Sequence, residues 1–564
     1  MSIRLTEEQE NILDTLDNEQ KYVIINALSG TGKTSTTIKL IEKILDENPD
    51  AKILYTCFNT IILNEGKEKF KKLGLKVESR TAHSLALGEL KKIRNVEVIQ
   101  YLDYEFFKKN KKDRKSTFIG VKHLIDEYCH SNSNMENFKK EAFNSWYNDE
   151  DKTPYVEEDI EDFEVIYNKL MDEDKFLHEM YLKEYALLSM VIDRFDYVFI
   201  DEAQDLDRSM LSIIRKLDVK KIYLFGDVNQ NIYSSFRNTV NALDILRENQ
   251  GGNVYPLTKS FRFHDDIAKI ANSILVDRKG STVSLKGNGP RRDIAIDMTK
   301  KTVLFRSNFG ILTWACALLR VERNAKIKFN GIVNGKSTKT FVELFYDFIS
   351  LLKLMAQEKR DRYFESELDT HFYISVPSPK VLKMKKIAKE EKESLISYLR
   401  FQCDKNVSLD QDLVNYFKFA DSNWTNLISN LIMLEKAQFI KDPSNIYELY
   451  TTHKCKGMEY DNVIIAPDCW YNEDYARTDE KYKKEALNII YTALTRAKEN
   501  LTIESPIVRE LCCIHEIEVN SVINFSDYID DEDEEDNPSI ISNTNKNKWL
   551  LYEDFCRDKA IGIL

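Results

Sequence analysis

Several features are missing from this sequence, and each absence narrows what it can be. No run of about eighteen apolar residues occurs, so no membrane-spanning helix is expected and no membrane partner is called for. The first residues, MSIRLTEEQE, lack the basic-then-apolar pattern of a secretory leader, which points to a soluble intracellular protein. Nine cysteines are scattered without a single C-x-x-C pair. Cys512 and Cys513 are the only cluster, so reduced thiols fit better than a disulfide framework or a cysteine-based zinc site. No internal repeat is visible. An excess of positive charge is also missing, since the formal net charge is −12. The acidic run from Asp527 to Asp536 carries eight of those negative charges, leaving −4 for the rest of the chain. Local basic clusters remain at 108–115 and 383–389, so the overall charge does not decide against a polyanionic partner.

The most informative stretch is YVIINALSGTGKTSTTIKL, residues 22–40. It reads as a buried strand, a glycine loop and the first turns of a helix. Ala27, Leu28, Ser29, Gly30, Thr31, Gly32, Lys33 and Thr34 fit the phosphate-loop pattern A/G-x-x-x-x-G-K-S/T, with Ser35 following in the first helical turn. Gly30 and Gly32 let the backbone curl so that successive N–H groups face phosphate oxygens, and the helix adds its positive dipole end. In this pattern Lys33 reaches the β- and γ-phosphates of ATP and the Thr34 hydroxyl ligates Mg²⁺.

At 564 residues the chain should divide into several units. A helix opened by Thr6, with Gln9 in its first turn, precedes the phosphate loop. A second strand is expected at 52–58, ending in TCFN, and a third segment at 76–87, which carries TAHS. After a lysine- and tyrosine-rich helical stretch, the sheet resumes with RFDYVFIDEAQD and then with the strand that delivers GDVNQNIY. A second α/β pattern begins after Thr258, is interrupted by helices near 338–447, and ends with the helix and strand of 485–503. Asp201 and Glu202 follow four apolar residues at a strand's carboxyl end, the edge at which ligands of open α/β sheets bind. They read as a carboxylate pair: Asp201 for the metal, Glu202 to activate water. The Gln230 amide could sense the γ-phosphate.

These segments, in order, are TEEQ, ALSGTGKT, TCFN, TAHS, DEAQD, GDVNQNIY, SFR, TTHKCKGMEY and YTALTRA, spanning residues 6–500. The series resembles the Rep/UvrD-like branch of superfamily 1 helicases. GDVNQNIYSSFRNTVNAL, LTKSFRF and NIIYTALTRAK bring it closest to the F-box DNA helicase subgroup, although no F-box-like segment precedes the motor. The resemblance implies an α/β fold of two tandem RecA-like parallel-sheet domains, each with a mostly helical insertion. The first domain takes residues 1–87 and 188–257 with insertion 88–187; the second takes 258–337 and 448–508 with insertion 338–447. Residues 509–564 form an extension with an acidic tail.

The same resemblance implies an ATP hydrolase that moves 3′ to 5′ along single-stranded DNA and opens duplex junctions, with ATP and Mg²⁺ bound between two lobes. Gln9 would read adenine, Phe261 would stack on it, and Glu459 would touch the bound nucleotide. Arg262 and Arg496 would act as arginine fingers. Phe58, Tyr233 and Phe236 would stack on bases, while Thr81, His83, Arg306, Thr452 and His453 would hold DNA phosphates or couple them to the ATP site. Such a protein is expected in the cytoplasm or nucleoid of a prokaryote or virus, or in a eukaryotic nucleus. Three departures stand out. Ala82 takes the usual aromatic place in the TAHS segment, SSFRN is one residue longer than the usual spacing before its aromatic-arginine pair, and Ala27 replaces the first loop glycine. A rival reading is an ATP-gated DNA-binding switch that recruits a repair partner or a nuclease, as in phage defence, and unwinds little. No nuclease motif is visible in the chain itself.

Overall fold

Valine and isoleucine in unbroken runs mark strands buried on both faces, as in a parallel sheet. In the computed structural model β1 (Tyr22–Ala27) is such a strand, with Val23, Ile24 and Ile25 at most 1% exposed. Truncating one of them to alanine should cost about 2–5 kcal/mol. The structure describes residues 5–57, 60–113, 116–148, 155–188, 195–232, 243, 254–291, 297–329, 341–374, 377–390, 392–405, 411–469 and 480–503. Phe58, Tyr233 and Phe236, and the acidic run 527–536, lie outside the described residues.

The chain divides into two units between Phe261 and Arg262. In the first, β1 is joined by β2 (Ile53–Cys57), β3 (Glu78–Ser79), β6 (Tyr197–Asp201), β7 (Lys221–Gly226) and β8 (Val254–Leu257), in the order β3-β2-β6-β7-β1-β8 with every pairing parallel. A parallel sheet needs crossover connections, and helices supply them. Between β3 and β6 the described residues form six helices, from Ala82–Leu90 to His178–Leu187, together with a short parallel pair, β4 (Glu97–Val98) and β5 (Lys175–Phe176). These helices share one apolar core with the inner face of the sheet, including Leu124, Phe163, Ile166, Val198 and Leu224.

The second unit contains β9 (Lys300–Phe305), β10 (Lys326–Phe329), β11 (Ile446–Thr451), β12 (Tyr460–Ile465) and β13 (Ala497–Ile503), again all parallel, in the order β10-β11-β9-β12-β13. Helices from Phe341–Leu344 to Gln411–Ala437 fill the connection between β10 and β11. The helix Asn308–Val321 is buried nearly all round between this sheet and that helical layer, which explains its lack of a polar face. The architecture of the described residues is thus α/β, with one large parallel sheet in each unit. Among the described residues no helix is long and apolar enough to cross a membrane, and all six cysteines are free thiols.

Candidate active site

The helix Glu7–Leu13 opens with a reciprocal cap: Gln9 N–H donates to Thr6 Oγ1 at 3.2 Å, and Thr6 N–H donates to Gln9 Oε1 at 3.0 Å. The other end of the Gln9 amide, Nε2, donates to Thr36 Oγ1 at 2.9 Å, so this residue is fixed against the helix that follows the phosphate loop.

The loop itself needs its glycines. Gly30 and Gly32 have φ of 73° and 86°, left-handed values that cost a β-carbon dearly. A Cβ on Gly32 would also lie 3.2 Å from Gln9 Nε2 and 3.4 Å from the Phe261 ring. Gln9 and Phe261 therefore flank the loop, and Phe261 is tied to it by donating its N–H to Gly30 O at 2.8 Å. Gln9 is buried, whereas Phe261 is 44% exposed, with Lys259 Nζ over its ring at 5.8 Å from the centroid. Around them, Ala27 ends β1, Leu28 N–H donates to Leu257 O at 3.0 Å, Thr31 Oγ1 donates to Leu28 O at 2.7 Å, and Ser29 is buried. Lys33, Thr34 and Ser35 form the half-buried first turn of the helix Lys33–Glu47.

The parallel register Cys57↔Asp201 brings β2 beside β6 and sets the acidic pair in place. Lys33 Nζ lies 2.6 Å from Glu202 Oε1. Tyr55 on β2 donates its hydroxyl to Asp201 Oδ2 at 2.8 Å, and Glu202, at φ 53°, donates its N–H to Asp201 Oδ1 at 2.9 Å. The left-handed φ ends the strand at Asp201.

Gln204 then ties this pair to the next loop. Its Nε2 donates to Glu202 Oε2, and its Oε1 accepts from Asp227 N–H at 3.1 Å. Gly226 makes that approach possible, because a Cβ there would sit 2.7 Å from Gln204 Oε1. Asp227 in turn accepts from Gln230 Nε2 at 2.9 Å, holding the amide of GDVNQ in a buried position.

Burial pulls the Lys33 ammonium down, but the charges of Glu202, Asp201 and Asp227 outweigh it and leave its pKa raised. Burial also raises the Asp201 carboxyl, with Lys33 opposing and the Glu202 charge adding to it. Three carboxylates thus face one ammonium in a buried cluster beside a helix N-terminus. That donor set fits a hard dication held by Asp201 and Thr34, with phosphates on the loop N–H groups.

In the second unit the arrangement has the opposite sign. Arg262 Nε donates to Glu459 Oε2 at 2.9 Å and its Nη1 donates to Thr495 O at 2.8 Å. Arg496 is buried and donates to Thr492 O at 3.0 Å, Met458 O at 3.2 Å and Thr495 Oγ1 at 3.3 Å. The Arg262 pKa falls to about 10; burial is the larger cause and the Arg496 charge adds to it. Two guanidinium groups near one half-exposed carboxylate leave a positive excess.

The residues expected to face DNA are placed as follows. Thr81 caps the helix Ala82–Leu90 by accepting from Ser84 N–H, and His83 Nε2 pairs with Glu179 Oε2 at 2.8 Å. Arg306 lies over the Tyr482 ring at 4.8 Å at the end of β9, and Thr452 and His453 follow the neighbouring strand β11. Thr452 is fully buried and donates its hydroxyl to Phe305 O at 3.1 Å, which holds the two strand ends together. Tyr55, Gln204 and Asp227 carry no role in the motif-by-motif reading of the sequence. Gln204 and Asp227 sit inside segments that reading quotes, DEAQD and GDVNQNIY, whereas Tyr55 lies in a strand whose partner is 146 residues away.

Residues 5–247 match the UvrD/REP helicase N-terminal domain, and residues 448–503 match the UvrD-like helicase C-terminal domain. The chain is 28% identical over 536 residues to F-box DNA helicase 1 of Gallus gallus, covering 88% of this chain and 49% of that protein. It is 25% identical over 560 residues to F-box DNA helicase protein 1 of Schizosaccharomyces pombe, covering 90% and 58%. Gabija protein GajB of Bacillus cereus is 24% identical over 338 residues, covering 56% and 64%. The chain therefore spans about half the length of the two F-box helicases.

Proposed function

Because the chain belongs to the UvrD/REP-like family of superfamily 1 DNA helicases, we propose that it hydrolyses Mg-ATP to drive itself 3′ to 5′ along single-stranded DNA, separating strands or displacing proteins at duplex junctions. The observation that carries this reading is the buried cluster in which Lys33 meets Glu202 beside Asp201, with Gln204 linking Glu202 to the Asp227–Gln230 loop. It supplies a phosphate cradle, metal ligands, a base and a lever in one connected set.

Asp201 and Thr34 would hold Mg²⁺, which when bound would supply charge neutralisation at the phosphates. Lys33 leaves Glu202 for the β- and γ-phosphates, freeing the Glu202 carboxylate to accept a proton from water. Gln230 contacts the γ-phosphate region, and its tether to Asp227 passes a change there to Gln204. Gln9 and Phe261 hold the base, and Glu459 approaches the nucleotide. Arg262 and Arg496 stabilise charge developing on the transferred phosphoryl group. Phe58, Tyr233 and Phe236 stack on DNA bases, and Thr81, His83, Arg306, Thr452 and His453 contact or sense the phosphate backbone.

The test is a directional assay on single strands labelled at either end, with and without a duplex or a bound protein ahead. Arrival at the 5′ end that depends on ATP and is lost in Lys33→Ala supports the proposal. ATP-dependent DNA binding without directional arrival would replace it with a gated switch.

A further inference from the structure

Away from the phosphate loop, the first unit gathers three imidazoles around one carboxylate. His83 comes from the helix Ala82–Leu90, His130 from the end of the helix Phe118–His130, and His178 and Glu179 from the start of the helix His178–Leu187. Asp207, the cap of the helix Arg208–Arg215, completes the group. We propose that His83, His178 and Glu179 bind a transition-metal dication of the Zn²⁺ type, with His130 and Asp207 flanking the ion.

The geometry is the first argument. His83 Nε2 lies 2.8 Å from Glu179 Oε2, His178 Nδ1 lies 3.6 Å from Glu179 Oε1, and His130 Nε2 lies 4.0 Å from Glu179 Oε2. Donor atoms of His83, His178 and Glu179 all fall within 4.8 Å of one another, as do those of His130, Glu179 and Asp207. A tetrahedral ion with bonds of about 2.1 Å spaces its ligand atoms about 3.4 Å apart. The observed separations bracket that value, so small rotations of side chains suffice to close the site.

Donor chemistry is the second. Imidazole nitrogens with a carboxylate oxygen suit Zn²⁺, Co²⁺ or Ni²⁺, whereas Mg²⁺ and Ca²⁺ prefer all-oxygen shells. The His83 and His178 rings stack with centroids 4.3 Å apart, and a nitrogen of each lies beside the Glu179 carboxylate. Access is the third. The side chains of His83 and His130 are 7% and 11% exposed and that of Glu179 is 24% exposed, while His178 is 62% exposed. An ion can enter past His178 and leave the fourth position to water.

The consequence is structural. His83 belongs to TAHS and Glu179 to the last helix before β6, so a bound ion would clamp two helices that an imidazole–carboxylate hydrogen bond now joins. No motif marks this set, because its members are far apart in the sequence.

The experiment is Co²⁺ titration of the full chain in excess Mg²⁺, followed by visible absorption and equilibrium dialysis. One Co²⁺ per chain is expected, with the intense band of tetrahedral geometry, displaced by Zn²⁺. His178→Ala changes an exposed side chain and should weaken binding at least about tenfold, while Zn²⁺ raises the melting temperature of the unaltered chain but not of this variant. Asp201→Asn, which disables the other metal position, should leave Co²⁺ binding unchanged. Absence of stoichiometric Co²⁺, or binding that survives His178→Ala and disappears in Asp201→Asn, overturns the proposal.

Discussion

In both units the first strand of the sheet runs straight into a helix, β1 into Lys33–Glu47 and β9 into Asn308–Val321, yet the two helix N-termini are finished in opposite ways. The first ends in a glycine loop with left-handed residues and no side-chain cap. The second is closed from within the protein: Ser307 Oγ caps it by accepting from Gly310 N–H at 3.0 Å, and a carboxylate braces that cap. Asp468, from the turn after β12, accepts from Arg306 N–H at 3.1 Å and from Ser307 N–H and Oγ, each at 3.0 Å. A Cβ on Gly310 would lie 2.0 Å from Asp468 Oδ2, so that carboxylate is packed against the helix start. The same local geometry thus suits a phosphate where the helix start carries no side-chain cap, and makes a rigid joint where Ser307 and Asp468 fill it. Charge follows the same division: carboxylate excess around Lys33, guanidinium excess around Glu459.

The largest expected effect comes from the guanidinium side. Arg262→Ala should slow steady-state ATP hydrolysis by about 10³–10⁵ with a smaller loss of nucleotide affinity, as removal of an arginine finger does. Normal hydrolysis would detach the second unit from the chemistry. Next, Glu202→Gln should lower turnover by about 10²–10⁴ while Mg-ATP still binds, since the amide cannot take a proton from water. If turnover stays near normal, Glu202 is only the partner of Lys33. Asp468→Ala should cost about 1–2 kcal/mol of stability, seen as a lower melting temperature, with nucleotide affinity unaltered. An altered affinity with an unchanged melting temperature would break the contrast between the two helix starts. The smallest effect is expected for Tyr55→Phe. Losing the bond to Asp201 should cost about 0.5–1.5 kcal/mol and raise the Mg²⁺ concentration at half-maximal rate without lowering the maximal rate in proportion. A fall in maximal rate alone would mean that Tyr55 does not position the metal ligand.

Much of this was legible in the sequence because it is local. The Thr6–Gln9 cap, the glycine loop before Lys33 and the apolar run ending in Asp201 and Glu202 are all set by neighbours along the chain. The parallel sheets followed from the alternation of strands and helices. What could not be read depends on which strands lie side by side. Tyr55 reaches Asp201 only because β2 pairs with β6, and Gln204 reaches Asp227 only because β6 pairs with β7 and Gly226 lets them touch. Asp468 holds the capping residue Ser307, 161 residues earlier, through the pairing of β9 with β12. The expectation for Lys76–Leu87 shortened for a similar reason: only Glu78–Ser79 pairs with β2, and Thr81 begins a helix at once.

The claim that one sheet leaves its helix start open to phosphate while the other fills its own is tested most directly by calorimetric titration of Mg-ATP into the Glu202→Gln chain, where turnover does not blur binding. The account predicts one site per chain, abolished by adding Lys33→Ala and retained on adding Asp468→Ala. Two sites per chain, or a single site that survives Lys33→Ala, would contradict it.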